Sequence, residues 1–296
     1  MMPQSGGAMA QEDAHIWGKQ DVSSSKGMKD ENFPVGSFLI SPGHRPAVHA
    51  YYRFARVADD MVDNTRLSPA QKVARLKALR EVLHGERKPP PGRADAWSAV
   101  ILRTVLQERN LPLELGSDLI TAFIMDAEKT RYEHWSELLH YCRYSANPVG
   151  RFLLMLHGEG EETFGPSDAL CTALQIVNHM QDVSSDLKQL NRCYVPLPWL
   201  QEENVRLKDL ILARSKPGVR RVFDRMLAHV DALNEEAARL PALVKDRRMR
   251  LEAAVIVALC RRLTERLHRQ DPIAERVALT KSDGLRALGW AMRYLR

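Results

Sequence analysis

From Asn32 onward, apolar residues recur at three- and four-residue intervals, the period of a helix with one buried face. The segments 69-PAQKVARLKALREVL-83 and 217-PGVRRVFDRMLAHVDALNEEAARL-240 show the pattern over several turns. Pro and Gly interrupt it at Pro34–Gly36, Pro42–Pro46, 84-HGERKPPPGR-93, Pro148, Gly158–Gly165 and Pro196–Pro198, which read as connections between helices. No alternating run demands a strand, and no long repeat is present. The Pro-rich loop at 88–92 is short, and helical pattern resumes directly after it. The pattern therefore predicts one all-α domain over residues 31–296. Residues 1–30 are rich in Gly, Ser, Gln and Lys, with little apolar periodicity, and read as a disordered lead-in.

Composition narrows the function. The chain has 296 residues, 45% hydrophobic and 27% charged, with a formal net charge of +6. A mildly basic balance suits an anionic ligand or an anionic surface. The basic residues are scattered and not interleaved with aromatics, which argues against nucleic acid. Cys142, Cys171, Cys193 and Cys260 lie far apart with no CxxC pair, the pattern of free thiols in a reducing cytoplasm. The longest apolar run, Ala253 to Cys260, is eight residues and too short to cross a bilayer. The first residues show no basic segment followed by an apolar core, so a secretory signal is not expected. The expected location is cytoplasmic, with peripheral contact at the inner membrane a further expectation. For that contact the amphipathic, basic stretch 281-KSDGLRALGWAMRYLR-296 is the candidate; the same stretch also reads as a helix packed on the bundle.

Two acidic stretches carry the candidate chemistry. In 50-AYYRFARVADDMVDN-64, Tyr52, Arg56, Asp59 and Asp63 fall at i, i+4, i+7 and i+11, one continuous stripe on a helix, with Asp60 beside it. In 174-LQIVNHMQDVSSDLKQLNRCYVPLP-198, Asn178, Asp182 and Asp186 fall at i, i+4 and i+8, spanning about 80° of one face. Gln175 lies one turn earlier on the same side, whereas His179 lies about 100° round the helix and reads as packed. Mg²⁺ wants oxygen ligands, usually one or two carboxylates completed by waters and phosphate oxygens. Two such faces opposed to each other suit a cluster of Mg²⁺ ions bridged by a diphosphate, whose departure the metals would ease. Arg56 and Arg192 are placed to meet remaining phosphate oxygens. A single DDxxD stretch is more often a solvated or capped helix face than a metal site. The occurrence of both stretches on separate helical segments favours a ligand role.

With both motifs in view, the chain resembles the squalene and phytoene synthase family. The stretch 52-YRFARVADDMVD-63 matches that family's Tyr-x3-Arg-x2-Asp-Asp-x2-Asp element. The stretches 175-QIVNHMQDVSSD-186 and 192-RCYVP-196 match its second acidic element and the Arg-x-Tyr-x-Pro that follows, and 141-YCRYSANPVG-150 takes the place of its Tyr-Cys segment. The resemblance covers about residues 31–295. It implies a class I terpenoid synthase fold, an all-α helical bundle around a central pocket. It further implies Mg²⁺ held by Asp59, Asp60, Asp63, Asn178, Asp182 and Asp186. Asn32, Ser37, Arg56, Gln175 and Arg192 would approach the substrate diphosphate. Tyr52, Arg56, Tyr141 and Tyr194 would face the reacting centre, the tyrosines by cation–π attraction or through their hydroxyls. Asn32 and Ser37 also flank a Pro-Gly turn, where a capping role serves equally well.

The strings 31-ENFPVGS-37, 129-KTRYEHW-135 and 144-YSANPVGR-151 resemble a bacterial hopanoid-pathway branch of the family. That likeness implies presqualene diphosphate as substrate, supplied by a sister enzyme, and water capture to give hydroxysqualene, which another sister enzyme would reduce. Gln181 stands where many relatives carry Arg, and Arg143 replaces a commonly aromatic residue; both are read as modest support for this branch. Arg143 reads either as a polar group beside the cation path or as a solvent-facing side chain. Asp126, Lys129 and Arg131 are expected to pair mainly among themselves at the surface. The run 158-GEGEETFG-165 follows no predicted strand, lacks Lys-Ser/Thr and is acidic, so it is no phosphate loop. Two rival readings stand: a synthase that itself condenses two prenyl diphosphates to squalene, phytoene or dehydrosqualene, and a non-catalytic assembly factor of the same fold.

Overall fold

The computed structural model describes residues 16–18 and 40–295. The chain divides into two compact units, with the change at Glu128/Lys129. Both are built from helices, as the apolar periodicity predicts.

The first unit contains α1 (Arg45–Asp63), α2 (Pro69–His84), α3 (Ala94–Glu108) and α4 (Glu114–Glu128). Helix α1 buries Ala47, Tyr51, Phe54, Ala58 and Met61 at alternating four- and three-residue steps, with Val62 beside them, and these supply the core side of the helix. The Tyr51 hydroxyl donates to the Leu115 carbonyl at 2.8 Å, tying α1 to α4. Gly116 permits the close approach of α4. A Cβ there would lie 2.8 Å from Leu83 Cδ2 and 3.1 Å from Leu102 Cδ2. Helix α2 begins at Ser68, whose hydroxyl accepts from the Gln71 N–H while the Gln71 side chain accepts from the Ser68 N–H. It ends at Gly85, in the left-handed region at φ 81°.

Ile16–Gly18, within the expected lead-in, are packed on this unit. Trp17 is buried, Arg75 donates to the Ile16 carbonyl at 2.8 Å, and Arg93 donates to the Gly18 carbonyl at 2.9 Å. One tryptophan without a periodic partner leaves no pattern in a sequence, so this anchor was invisible there.

The second unit contains α5 (Trp135–Ser145), α6 (Asn147–Leu156), α7 (Phe164–Gln189), α8 (Leu197–Glu202), α9 (Pro217–Ala237), α10 (Leu240–Leu243), α11 (Arg247–Arg269) and α12 (Lys281–Ala291). It also holds a small parallel ladder that the sequence pattern does not predict. Strand β1 (Arg131–Tyr132) pairs with β2 (Cys193–Pro196), setting Arg131 opposite Cys193 and Tyr132 opposite Pro196. The first strand is too short to show alternation. The second is buried throughout, so its period disappears.

Helix α6 lies close on α7, and the string 147-NPVGR-151 accounts for it. The Thr172 hydroxyl donates to Asn147 Oδ1 at 3.0 Å. Gly150 leaves room that a Cβ would fill, 2.5 Å from Ser167 Oγ and 2.6 Å from Cys171 Sγ. Arg151 grips Asp168 with two bonds, of 2.9 and 2.5 Å. Burial pushes the Cys171 thiol up to about 12, with Asp168 adding to the effect, so this cysteine is an inert packing group. The acidic run 158–165 clamps the start of α11: Glu159 is buried and accepts from the backbone N–H groups of Lys245 and Asp246 at 2.9 and 2.7 Å.

Candidate active site

Helix α1 presents Tyr52, Arg56, Asp59, Asp60 and Asp63 on a half-buried side. All three aspartates fall at the C-terminal end of the helix, where backbone carbonyls already concentrate negative charge and no basic residue occupies the last turn. That arrangement demands a cation. Arg56 supplies one from within: its guanidinium lies 2.6 Å from Asp59 and 3.0 Å from Asp60. Arg56 and Asp60 are each only 12% exposed, so the pair is poorly screened by water.

Helix α7 also carries aspartates toward its C-terminal end, here with Lys188 in the last turn. Asn178 and Asp186 are half-buried, Asp182 is exposed, and both aspartates lie in the last two turns. The Asp186 carbonyl accepts from the N–H groups of Leu190 and Arg192 at 2.9 and 3.2 Å. This turn delivers the chain into β2 with Arg192 and Tyr194 both buried. The Gln175 amide donates to His179 Nε2 at 3.1 Å, which leaves the ring proton on Nδ1. Desolvation pushes the His179 imidazole down to about 3, and the nearby Arg192 charge pushes the same way. His179 is therefore a neutral, packed ring.

Around His179 the second unit gathers an aromatic cluster. His179 stacks on Tyr194 with ring centres 3.5 Å apart, and Tyr141 lies 5.3 Å from Tyr194. Tyr132 completes the group, 5.4 Å from Tyr194 and edge-on to Tyr141 at 6.0 Å. Its outer face carries the Lys129 ammonium, 5.0 Å from the ring centre. Tyr132 was not among the site residues expected from the sequence. The string 129-KTRYEHW-135 contains it, but only the β1–β2 pairing brings it to Tyr194.

The donors on the two helices are hard oxygens, the chemistry that suits Mg²⁺ rather than a thiophilic metal. Among the described residues, no group of three or more His, Cys, Asp or Glu side chains is gathered so as to hold a metal ion by itself.

The remaining expectations fall unevenly. Asn32 and Ser37 lie outside the described residues. Arg143 is exposed, its guanidinium 5.9 Å from the Tyr144 ring, so it is the solvent-facing side chain and not a polar group in the cation path. Asp126, Lys129 and Arg131 do not pair mainly among themselves. Asp126 is buried, Lys129 pairs with Glu137 at 2.9 Å, and Arg131 donates to Asn191 Oδ1 at 2.6 Å. The turn after α7 and the cap of α5 supply nearer acceptors than the sequence neighbours do. Gln181 donates to the Val277 carbonyl, so the position that is Arg in many relatives here tethers α7 to the α11–α12 connection. Among the described residues, no helix is long and apolar enough to cross a membrane.

The chain is similar to known proteins over most of its length. A sequence model of the squalene/phytoene synthase family matches residues 28–283. A protein named hydroxysqualene synthase from Rhodopseudomonas palustris is 42% identical over 259 residues, covering 88% of this chain and 87% of the relative. A second of that name, from Zymomonas mobilis, is 40% identical over 264 residues, covering 88% and 87%. The crystal structure of squalene synthase HpnC from Alicyclobacillus acidocaldarius superposes with a TM-score of 0.64 at 35% identity, covering 80% of this chain and 91% of that one. The fold is that of the class I terpenoid synthases.

Proposed function

The chain belongs to the squalene/phytoene synthase family, and on that premise we propose that it converts presqualene diphosphate and water into hydroxysqualene and diphosphate. Family membership implies a prenyl diphosphate substrate. The observation that carries the finer reading is the 40–42% identity, over most of both chains, to proteins named hydroxysqualene synthase. In this reading the enzyme is a carbon–oxygen lyase that releases diphosphate.

The proposed roles rest on the two acidic motifs. Asp59, Asp60 and Asp63 on α1, and Asn178, Asp182 and Asp186 on α7, are the oxygen donors assigned to Mg²⁺. Mg²⁺, when bound, neutralises the departing diphosphate. Arg56 and Arg192 bond the phosphate oxygens that remain. The carbon–oxygen bond breaks with both electrons leaving on diphosphate, and the cyclopropylcarbinyl cation opens and rearranges. Tyr141 and Tyr194 are assigned ring faces toward that cation, with Tyr132 packed behind them, while Tyr52 lines the α1 stripe. His179 stays neutral and adds no positive charge beside it. A water oxygen then forms the new carbon–oxygen bond, and its proton passes to solvent or diphosphate.

A condensing synthase is the second reading, because the solved relative at 35% identity bears the name squalene synthase. The two part on substrate. Purified protein with Mg²⁺ is given presqualene diphosphate in one reaction and farnesyl diphosphate alone in the other. The proposal expects hydroxysqualene from the first and no turnover in the second. Consumption of farnesyl diphosphate alone would make the protein a condensing synthase. Inactivity in both, with the protein folded, would favour a non-catalytic relative.

A further inference from the structure

Helix α12 is mounted inside out. A surface helix ordinarily buries its large apolar side chains and exposes polar ones. Here the buried positions are Asp283, Ala287 and Ala291, while Leu285 is 73% exposed and Met292, just after the helix, is 52% exposed. Leu285, Leu288 and Met292 follow one another at i, i+3 and i+7, so they form one stripe. Lys281 stands at the head of the stripe, one turn before Leu285, and Arg286 and Arg293 form a cationic edge beside it; all three are exposed. The helix has one acidic residue, Asp283, and it is buried against Arg262 and Arg266 at 3.1 and 2.6 Å. The exposed face of α12 therefore carries only apolar and positively charged side chains of any size.

The mounting is firm at both ends. Thr280 and Asp283 close a capping box at the start. At the finish, Arg247 and Arg250 each donate to a carbonyl of the last turn, at Leu295 and Tyr294, both at 3.4 Å. The apolar stripe is held outward by these bonds and does not result from a loose end.

We propose that this face docks on the surface of an anionic lipid bilayer, with Leu285, Leu288 and Met292 entering the headgroup boundary and Lys281, Arg286 and Arg293 meeting lipid phosphates. Apolar insertion beside a cationic edge is the combination that binds such a surface. A second copy of the chain is the poorer occupant, because a two-fold contact there sets Arg286 and Arg293 against their own equivalents. The inference does not depend on the reaction assigned above.

Flotation of the full chain with vesicles tests it, using phosphatidylcholine alone and phosphatidylcholine mixed with phosphatidylglycerol. The protein should rise with the anionic vesicles and stay behind with the neutral ones. Arg286→Gln with Arg293→Gln should weaken binding by about fivefold per charge removed, and Leu285→Ser with Met292→Ser should reduce the bound fraction at constant charge. Activity on detergent-dispersed substrate should be the same in both variants as in the parent. The proposal is overturned if the parent ignores anionic vesicles, if it floats equally with neutral ones, or if the variants bind as the parent does. It is overturned equally if light scattering finds a dimer that Leu285→Ser breaks, since a second copy would then cover the face.

Discussion

The imidazole of His179 lies face to face with the phenol ring of Tyr194, their centres 3.5 Å apart and their planes 19° from parallel. Burial holds that imidazole neutral down to about 3. An unfolded chain takes up a proton on histidine near pH 6.5. Between pH 6.5 and 3 the unfolded state therefore binds more protons at this position, and stability rises with pH. At pH 5 the expected cost is about 2 kcal/mol relative to neutrality. Urea unfolding at pH 5 and pH 7.5 should show a smaller difference for His179→Gln than for the parent. An equal difference in the two proteins would mean that His179 is not held neutral.

Asp60 and Asp182 lie toward the C-terminal ends of their helices, three and seven residues before the last. Asp60→Asn or Asp182→Asn should each lower kcat by at least about 100-fold, the scale on which charge stabilisation in such sites is lost. Asp182→Asn should leave the urea midpoint near the parent's because Asp182 is exposed, and Asp60→Asn should still fold because Arg56 keeps its pair with Asp59. Turnover that survives unchanged in either variant would remove that residue from the assigned site.

Gly150 governs how closely α6 approaches α7. Gly150→Ala places a Cβ within 2.6 Å of both Ser167 Oγ and Cys171 Sγ. Overpacking of this kind costs about 1–3 kcal/mol. Chemical denaturation should find the loss, and Gly150→Ala combined with Cys171→Ala should regain part of it. Strict additivity of the two changes would show that the residues do not meet.

Asp283 ties α12 to α11. Its hydrogen bond from Thr280 leads, with Arg262 and Arg266 assisting, in holding the carboxyl well below the usual carboxylate range. The stabilisation is present above the unfolded value of about 3.9 and is lost as pH falls below it. In hydrogen exchange, α12 amides should lose protection in acid, and Asp283→Asn should cause the same loss at neutral pH. Full protection of α12 in that variant would contradict the assignment.

Local features were the ones the sequence made legible. The span read as helix at 69–83 is α2, Pro69–His84, and the Tyr52–Arg56–Asp59–Asp63 stripe follows from the helical period alone. The helix begun at Pro217 stops at Ala237 instead of Leu240, because Leu240 opens α10. What stayed hidden depends on tertiary contact. Tyr132 joins Tyr194 through a two-residue strand, and no spacing rule links positions that far apart. Arg143 lies beside Tyr141 and Cys142 in sequence, yet helix α5 turns those two inward and Arg143 outward. The sequence names the neighbours of a residue along the chain, and packing decides which face each one shows.

The central claim is that water ends the reaction on a prenyl diphosphate. Presqualene diphosphate turned over with Mg²⁺ in oxygen-18 water, followed by mass spectrometry of the extracted alcohol, tests it most directly. The account predicts hydroxysqualene carrying the heavy oxygen. An alcohol without the label, or a hydrocarbon in its place, would contradict it.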